Sequence, residues 1–258
     1  MLAPRRHSLD TLSAIALGGA AYVIPYFLLS SWWRFIPSTV IILALGAVFL
    51  RGGVLRFFGL RLSTRDILAS LALLLVALLL SRYVSKSYVG AFLEIVRTPG
   101  SQAQAHQFFQ VFNDELVMRA ALLTLLLGIM PRPRIVILAM AALFSVGHWV
   151  FYNWLDSPIG SASLVTLFSF GVIGNTLFVK YGHIGYGLAL HYAWNFYRFN
   201  ARYSVDGHPL REGATFNYIE GDAWIMTGSV IVMLFVFGAY ATAPGQSSSI
   251  ASTTLRRQ

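Results

Sequence analysis

FNDELVMRAALL, Phe112 to Leu123, sets Asp114, Glu115 and Arg119 close together in a stretch otherwise apolar enough to cross a bilayer. Each ionised side chain in hydrocarbon costs at least about 2.5–3.5 kcal/mol. The stretch therefore belongs either to a soluble helix or to a membrane bundle that turns its charges inwards. Composition decides. Apolar residues make up 57 % of the chain and charged residues 11 %, with a mean hydropathy of +0.66. A soluble domain carries about 25 % charged residues. The expected class is all-α, a polytopic transmembrane helix bundle.

A window of about 19 residues finds eight spans, near 11–30, 35–50, 66–84, 106–128, 134–155, 158–180, 183–199 and 222–242. Residues 1–243 read as a single transmembrane helical domain. The Ser/Thr-rich remainder, 244–258, reads as a disordered cytoplasmic tail. The first span follows ProArgArgHis, but its apolar run is too long for a signal-peptide core, so it reads as uncleaved. Lys and Arg number eleven in the loops on the N-terminal side and seven on the other side. That bias puts both termini in the cytoplasm.

The net charge of +9 is spread between apolar runs, as befits contact with anionic inner-leaflet lipids; nucleic acid is not an expected partner. Residues 51–65, RGGVLRFFGLRLSTR, suit a segment lying on that leaflet. Residues 86–97 read as a second interfacial helix, and 200–221 as a polar, Gly-rich external loop. The chain has no cysteine, which excludes disulfides, thiolate metal sites and a Cys nucleophile.

Within 106–128, Glu115 and Arg119 stand at i and i+4 and pair on one helical face. Such a pair reads first as a brace, because buried ions are normally paired. Asp114 points elsewhere, and its partners must come from other helices. Candidates are His148 in ALFSVGHW, with Phe144 one turn before it as a wall, and His191 and Asn195 in LALHYAWN, again at i and i+4. Taken singly, each is an ordinary helix–helix hydrogen bond.

Depth argues that they act together. At about 1.5 Å per residue, Asp114 lies about 18 Å from the cytoplasmic edge, His148 about 21 Å, His191 about 12 Å and Asn195 about 18 Å. A carboxylate beside an imidazole can hold and deprotonate a water. An imidazole and an amide on one face can donate to a developing oxyanion. Together they suit amide hydrolysis without a covalent intermediate or a cofactor. The competing use is a metal site of Asp114, His148 and His191. HExxH, GxGD and GxSG, the marks of other intramembrane hydrolases, are absent from the sequence.

The order DExxxR (Asp114, Glu115, Arg119), FxxxH (Phe144, His148) and HxxxN (His191, Asn195) resembles the CAAX protease and bacteriocin-processing (CPBP, or ABI) family, which includes the type II CAAX prenyl endopeptidases. The resemblance covers about residues 50–200, where FFGLRLSTRD and YGHIGYGLALHYAWN also look like the family. It implies an intramembrane glutamic-type endopeptidase acting on a membrane-anchored peptide or protein; the compact chain, without long extensions, points to a prokaryotic plasma membrane as its setting. It also implies that Asp114 and His148 activate water while His191 and Asn195 hold the oxyanion. Glu115 and Arg119 fall on the family's second acid and Arg. The family usually has Glu-Glu, and Asp114 is one methylene shorter. Three readings stay open: Asp114 is the base, Glu115 takes over, or the chain is a non-catalytic relative. The last includes an immunity, scaffold or transport protein, although a transporter would more often show repeated halves.

Overall fold

The computed structural model describes residues 35–50, 53–89, 92–95, 101–130, 132–154, 161–205 and 208–209. The spans expected at 11–30 and 222–242, and the tail from 244, lie outside the described residues. Within them the fold is mostly helical. The helices are α1 (Phe35–Leu50), a four-residue α2 (Val54–Phe57), α3 (Thr64–Val89), α4 (Ser101–Asp114), α5 (Thr124–Ile129), α6 (Pro133–Trp154), α7 (Ser161–Tyr181) and α8 (Gly185–Asn200). Between α4 and α5 the same rod runs as a π-helix, Glu115–Leu123.

Local chemistry sets the helix ends. Ser63 caps α3 in a capping box: the Asp66 backbone N–H donates to Ser63 Oγ at 3.2 Å, and the Ser63 N–H donates back to Asp66 Oδ2 at 2.9 Å. Pro133 opens α6, where its missing N–H costs nothing. Gly182 ends α7 at φ 72°, its N–H donating to the Phe178 carbonyl at 2.8 Å. A left-handed residue after a helix is the usual seat of glycine.

The expected span at 106–128 is one continuous rod from 101 to 129, but its middle is not α-helical. The i→i+5 bonding of a π-helix widens the turn. Nine residues so wound re-aim every side chain that follows. Two other expectations are corrected. Residues 86–97 are not an interfacial helix: α3 continues to Val89, and Phe92–Ile95 forms strand β1. It pairs antiparallel with β2 (Ala201–Val205), from Phe92 opposite Ser204 to Ile95 opposite Ala201. A short β3 (His208–Pro209) completes a three-stranded sheet, so the start of the expected 200–221 loop is also strand. Phe, Leu, Ile, Tyr and Val suit a pleated surface, and pairing satisfies backbone groups that a lone interfacial turn leaves to water.

The described part of 51–65 is also anchored to the bundle. Leu55 and Arg56 are exposed, but Phe58 is buried against Phe178 and Ile184. Gly59, at φ 60°, turns the chain so closely over the α7–α8 corner that a Cβ there would stand 2.8 Å from His183 Cα. The Ile184 N–H donates to the Gly59 carbonyl at 3.1 Å.

Apolar side chains line the exterior as well as the core. Ile67, Leu68, Leu71, Leu75, Val76 and Leu79 of α3 are exposed, and so are Ile135, Leu138, Leu143 and Val146 of α6. The interior holds Asn113, Glu115, Arg119, Asn175, His191 and Asn195. A contiguous apolar exterior marks a membrane contact. Among the described residues, one helical window, Pro133–Val150, is both long and apolar enough to cross a membrane. Helices α6 and α7 pack closely, with Gly171 so near Ala141 that a Cβ would lie 2.9 Å from its Cα. Asn175 on α7 donates to the Ile137 carbonyl at 3.1 Å, and Ser145 on α6 to the Leu164 carbonyl at 2.6 Å. Interhelical hydrogen bonds of this kind contribute about 0.6–1.7 kcal/mol in a membrane.

Candidate active site

The end of α4 is buried all round. Asn113, Asp114 and Glu115 are 0 %, 5 % and 0 % exposed, and three consecutive residues cover most of a helix's circumference. Asn113 and Glu115 point at different neighbours. Asn113 Nδ2 donates to Ser38 Oγ at 3.0 Å and to Thr39 Oγ1 at 3.1 Å, tying the α4–π junction to α1. Asp114 is the last α-helical residue. Glu115 begins the π turn and faces α8.

Glu115 joins two parts of the site. Arg119 Nη1 donates to its Oε1, as the i, i+4 spacing predicts. The same oxygen accepts from His191 Nδ1 at 2.8 Å, across 76 residues of sequence. A carboxylate oxygen can only accept from this imidazole, so His191 carries its proton on Nδ1. The Glu115–Arg119 pair is thus more than a local brace, because it also orients a motif histidine on another helix. One carboxylate that fixes a ring's tautomer and plane is the device that orients the histidine of a hydrolase triad.

Glycine makes room for these groups. A Cβ on Gly187, one turn before His191 on α8, would overlap the Glu115 carboxylate. One on Gly174, on α7, would overlap the Arg119 guanidinium. Both ionic groups therefore lie against bare backbone. Of the pair Gly171 and Gly174, the first serves helix packing and the second seats the arginine.

The aromatic wall is wider than the FxxxH motif foretells. The Arg119 guanidinium carbon sits 5.5 Å from the Phe144 ring centre and 5.3 Å from that of Phe170. Phe144 stands 4.2 Å from the His148 ring and 6.2 Å from that of His191. Phe170 meets His191 at 5.1 Å. His148, half-buried, donates Nδ1–H to the Phe144 carbonyl at 2.8 Å. In the neutral ring that tautomer puts the lone pair on Nε2, the atom able to take a proton. Asn195 is buried one turn beyond His191 on the same face of α8.

Glu115, Arg119 and His191 are therefore bonded together, and Phe144 brings His148 to the same aromatic wall. Asp114 and Asn195 are buried on the elements carrying Glu115 and His191. Among the described residues, no three His, Asp or Glu side chains are placed to share one ion. Sequence reasoning missed Asn113, Phe170, Gly174 and Gly187 as parts of the site. Gly187 left a signal, since a residue without a side chain at i−4 from His191 marks a close approach on that face. Phe170 left none among 19 phenylalanines.

Residues 103–197 match the family model described as type II CAAX prenyl endopeptidase, Rce1-like. The resemblance carried by the three motifs is borne out, and every motif residue from Asp114 to Asn195 falls inside the matched stretch. That family consists of membrane endopeptidases of the CAAX protease type, whose substrates are membrane-associated peptides. No curated protein matches the chain.

Proposed function

We propose that this chain is an intramembrane endopeptidase, hydrolysing a peptide bond in a membrane-anchored substrate without a covalent intermediate. Asp114, assisted by His148 Nε2, holds and deprotonates the water. The water adds to the scissile carbonyl, and its oxygen becomes an oxyanion that accepts hydrogen bonds from Asn195 and from His191 Nε2–H, a role that requires His191 to carry a proton on both ring nitrogens. The proton taken by the carboxylate–imidazole pair then passes to the leaving amine as the C–N bond breaks. Glu115 stays out of the proton traffic. It is committed to Arg119 and His191 and keeps the oxyanion histidine in place.

The observation that supports this most is the Glu115–His191 bond, which ties the first motif to the third across separate helices. It also bears on the Asp–Glu departure. With Glu115 bound to two cations or donors, the base role falls to the shorter Asp114, whose junction position lets the backbone make up the missing methylene of about 1 Å. The wider setting belongs to the same proposal: a single multi-pass domain in a prokaryotic plasma membrane, both termini cytoplasmic, with anionic inner-leaflet lipids and no nucleic acid as partners.

The test uses the full chain in liposomes with a fluorogenic farnesylated CAAX peptide, alongside membrane proteomics of cells with and without the chain. Wild type is expected to cut the peptide or a cellular membrane protein. Asp114→Ala, His148→Ala and His191→Ala are expected to insert and fold but not cut. Wild-type cleavage by all three variants removes the hydrolytic reading and leaves a non-catalytic relative.

A further inference from the structure

Resting on the hydrolytic reading, we propose that Phe170 is a positioning residue of the site, coupling the Arg119 guanidinium to the His191 ring. It belongs to none of the three motifs and sits on α7, a helix that carries no motif residue. Its ring is nonetheless shared by both polar partners of Glu115, 5.3 Å from the Arg119 guanidinium carbon and 5.1 Å from the His191 ring. Phe144 lies 6.1 Å away and closes the same wall. Arg119 and His191 thus reach Glu115 Oε1 from two sides, over a common floor of two rings.

The physical reason for a ring at this place is the state of Arg119. The guanidinium is 1 % exposed, and its Nε and Nη2 have no hydrogen-bond partner among the described residues. A cation so placed gains most from the negative face of an aromatic ring, an interaction that strengthens when desolvated. Gly174, one turn after Phe170 on α7, gives the guanidinium its seat. One face of α7 therefore supplies both the gap and the ring. Phe170 and His191 meet edge to face, at 64° between planes, a packing that limits rotation of the imidazole about its bond to Glu115. Trp194, 6.0 Å from Phe170, supports the ring from behind.

An aliphatic side chain of similar size would fill the space but supply no π face. Phe170→Leu is therefore expected to lower kcat on the farnesylated CAAX peptide by about tenfold, with KM within about twofold of wild type. Phe170→Tyr, which keeps the ring, restores most of the rate. The second readout does not depend on cleavage. With 15N-labelled histidine in the full chain, the His191 ring signals, assigned from their loss in His191→Ala, should move in Phe170→Leu and return in Phe170→Tyr. Val172→Ala, a buried change on the same helix, controls for lost packing by lowering the melting temperature without moving them.

If Phe170→Leu leaves kcat and the His191 signals as in wild type, and only melts earlier like Val172→Ala, the ring is plain packing and the proposal is wrong. If wild type cuts nothing, the hydrolytic reading fails. The histidine spectra then still decide whether Phe170 holds the ring.

Discussion

Two carboxylate–imidazole pairs among the described residues, Glu115 with His191 and Asp66 with His183, differ in depth and in role. Deep in the bundle, Glu115 is 0 % exposed and bonds His191 at 2.8 Å. At the α7–α8 corner, Asp66, 29 % exposed, stands 3.5 Å from His183 Nε2. Asp66 spends its other oxygen on the Ser63 cap, and His183 Nδ1 accepts from the Gly185 backbone at 3.2 Å. The outer pair is screened from the Asp66 side alone, His183 being buried, and it serves the ends of two helices. The inner pair has no solvent to fall back on, so each member depends on the others. The same two residue types join motif helices in one place and cap helix ends in the other, and the burial of the carboxylate separates them.

Glu115→Ala should break that contrast most severely. It leaves Arg119 charged and buried, at a cost of about 3–5 kcal/mol. Detergent-solubilised protein should melt far below wild type and cut nothing. Asp114→Asn should sharpen the division of labour between the two adjacent acids. Cleavage should fall by about a hundredfold or more while thermal unfolding stays close to wild type. An equal loss of stability in both variants would mean that Asp114 is structural too. Gly187→Ala tests the seat itself, pushing a methyl into the Glu115 carboxylate. A loss of about 1–3 kcal/mol is expected, with cleavage reduced in step, and Gly174→Ala should act alike through Arg119. The smallest effect belongs to the outer pair. Asp66→Asn should lower the melting temperature slightly and remove part of its salt dependence, with the cleavage rate unchanged. A large loss of activity there would erase the distinction between the two pairs.

Much of this was legible in the chain because it rests on composition and spacing. Apolar runs located Phe35–Leu50, Pro133–Trp154, Ser161–Tyr181 and Gly185–Asn200 to within a few residues, since a buried or lipid-facing helix must be apolar throughout its length. The Glu115–Arg119 pair followed from i, i+4 geometry. The π winding at Glu115–Leu123 was hidden, because nine largely apolar residues look alike at 3.6 residues per turn or at a wider one. Strand β1 was hidden for a related reason: four residues of FLEI carry too little periodicity to separate strand from helix. The bond from Glu115 to His191 could not be read at all. Spacing along one helix says which residues share a face, but not which face meets a neighbour.

The two bare backbone patches at Gly174 and Gly187 reach beyond this molecule. A related chain can keep every acid, histidine and asparagine of the three signatures and still carry alanine or a larger residue at either patch. Such a chain would have the reagents without the berth that receives them. Sorting genomes by those two positions should therefore separate working hydrolases from look-alikes better than counting signatures does.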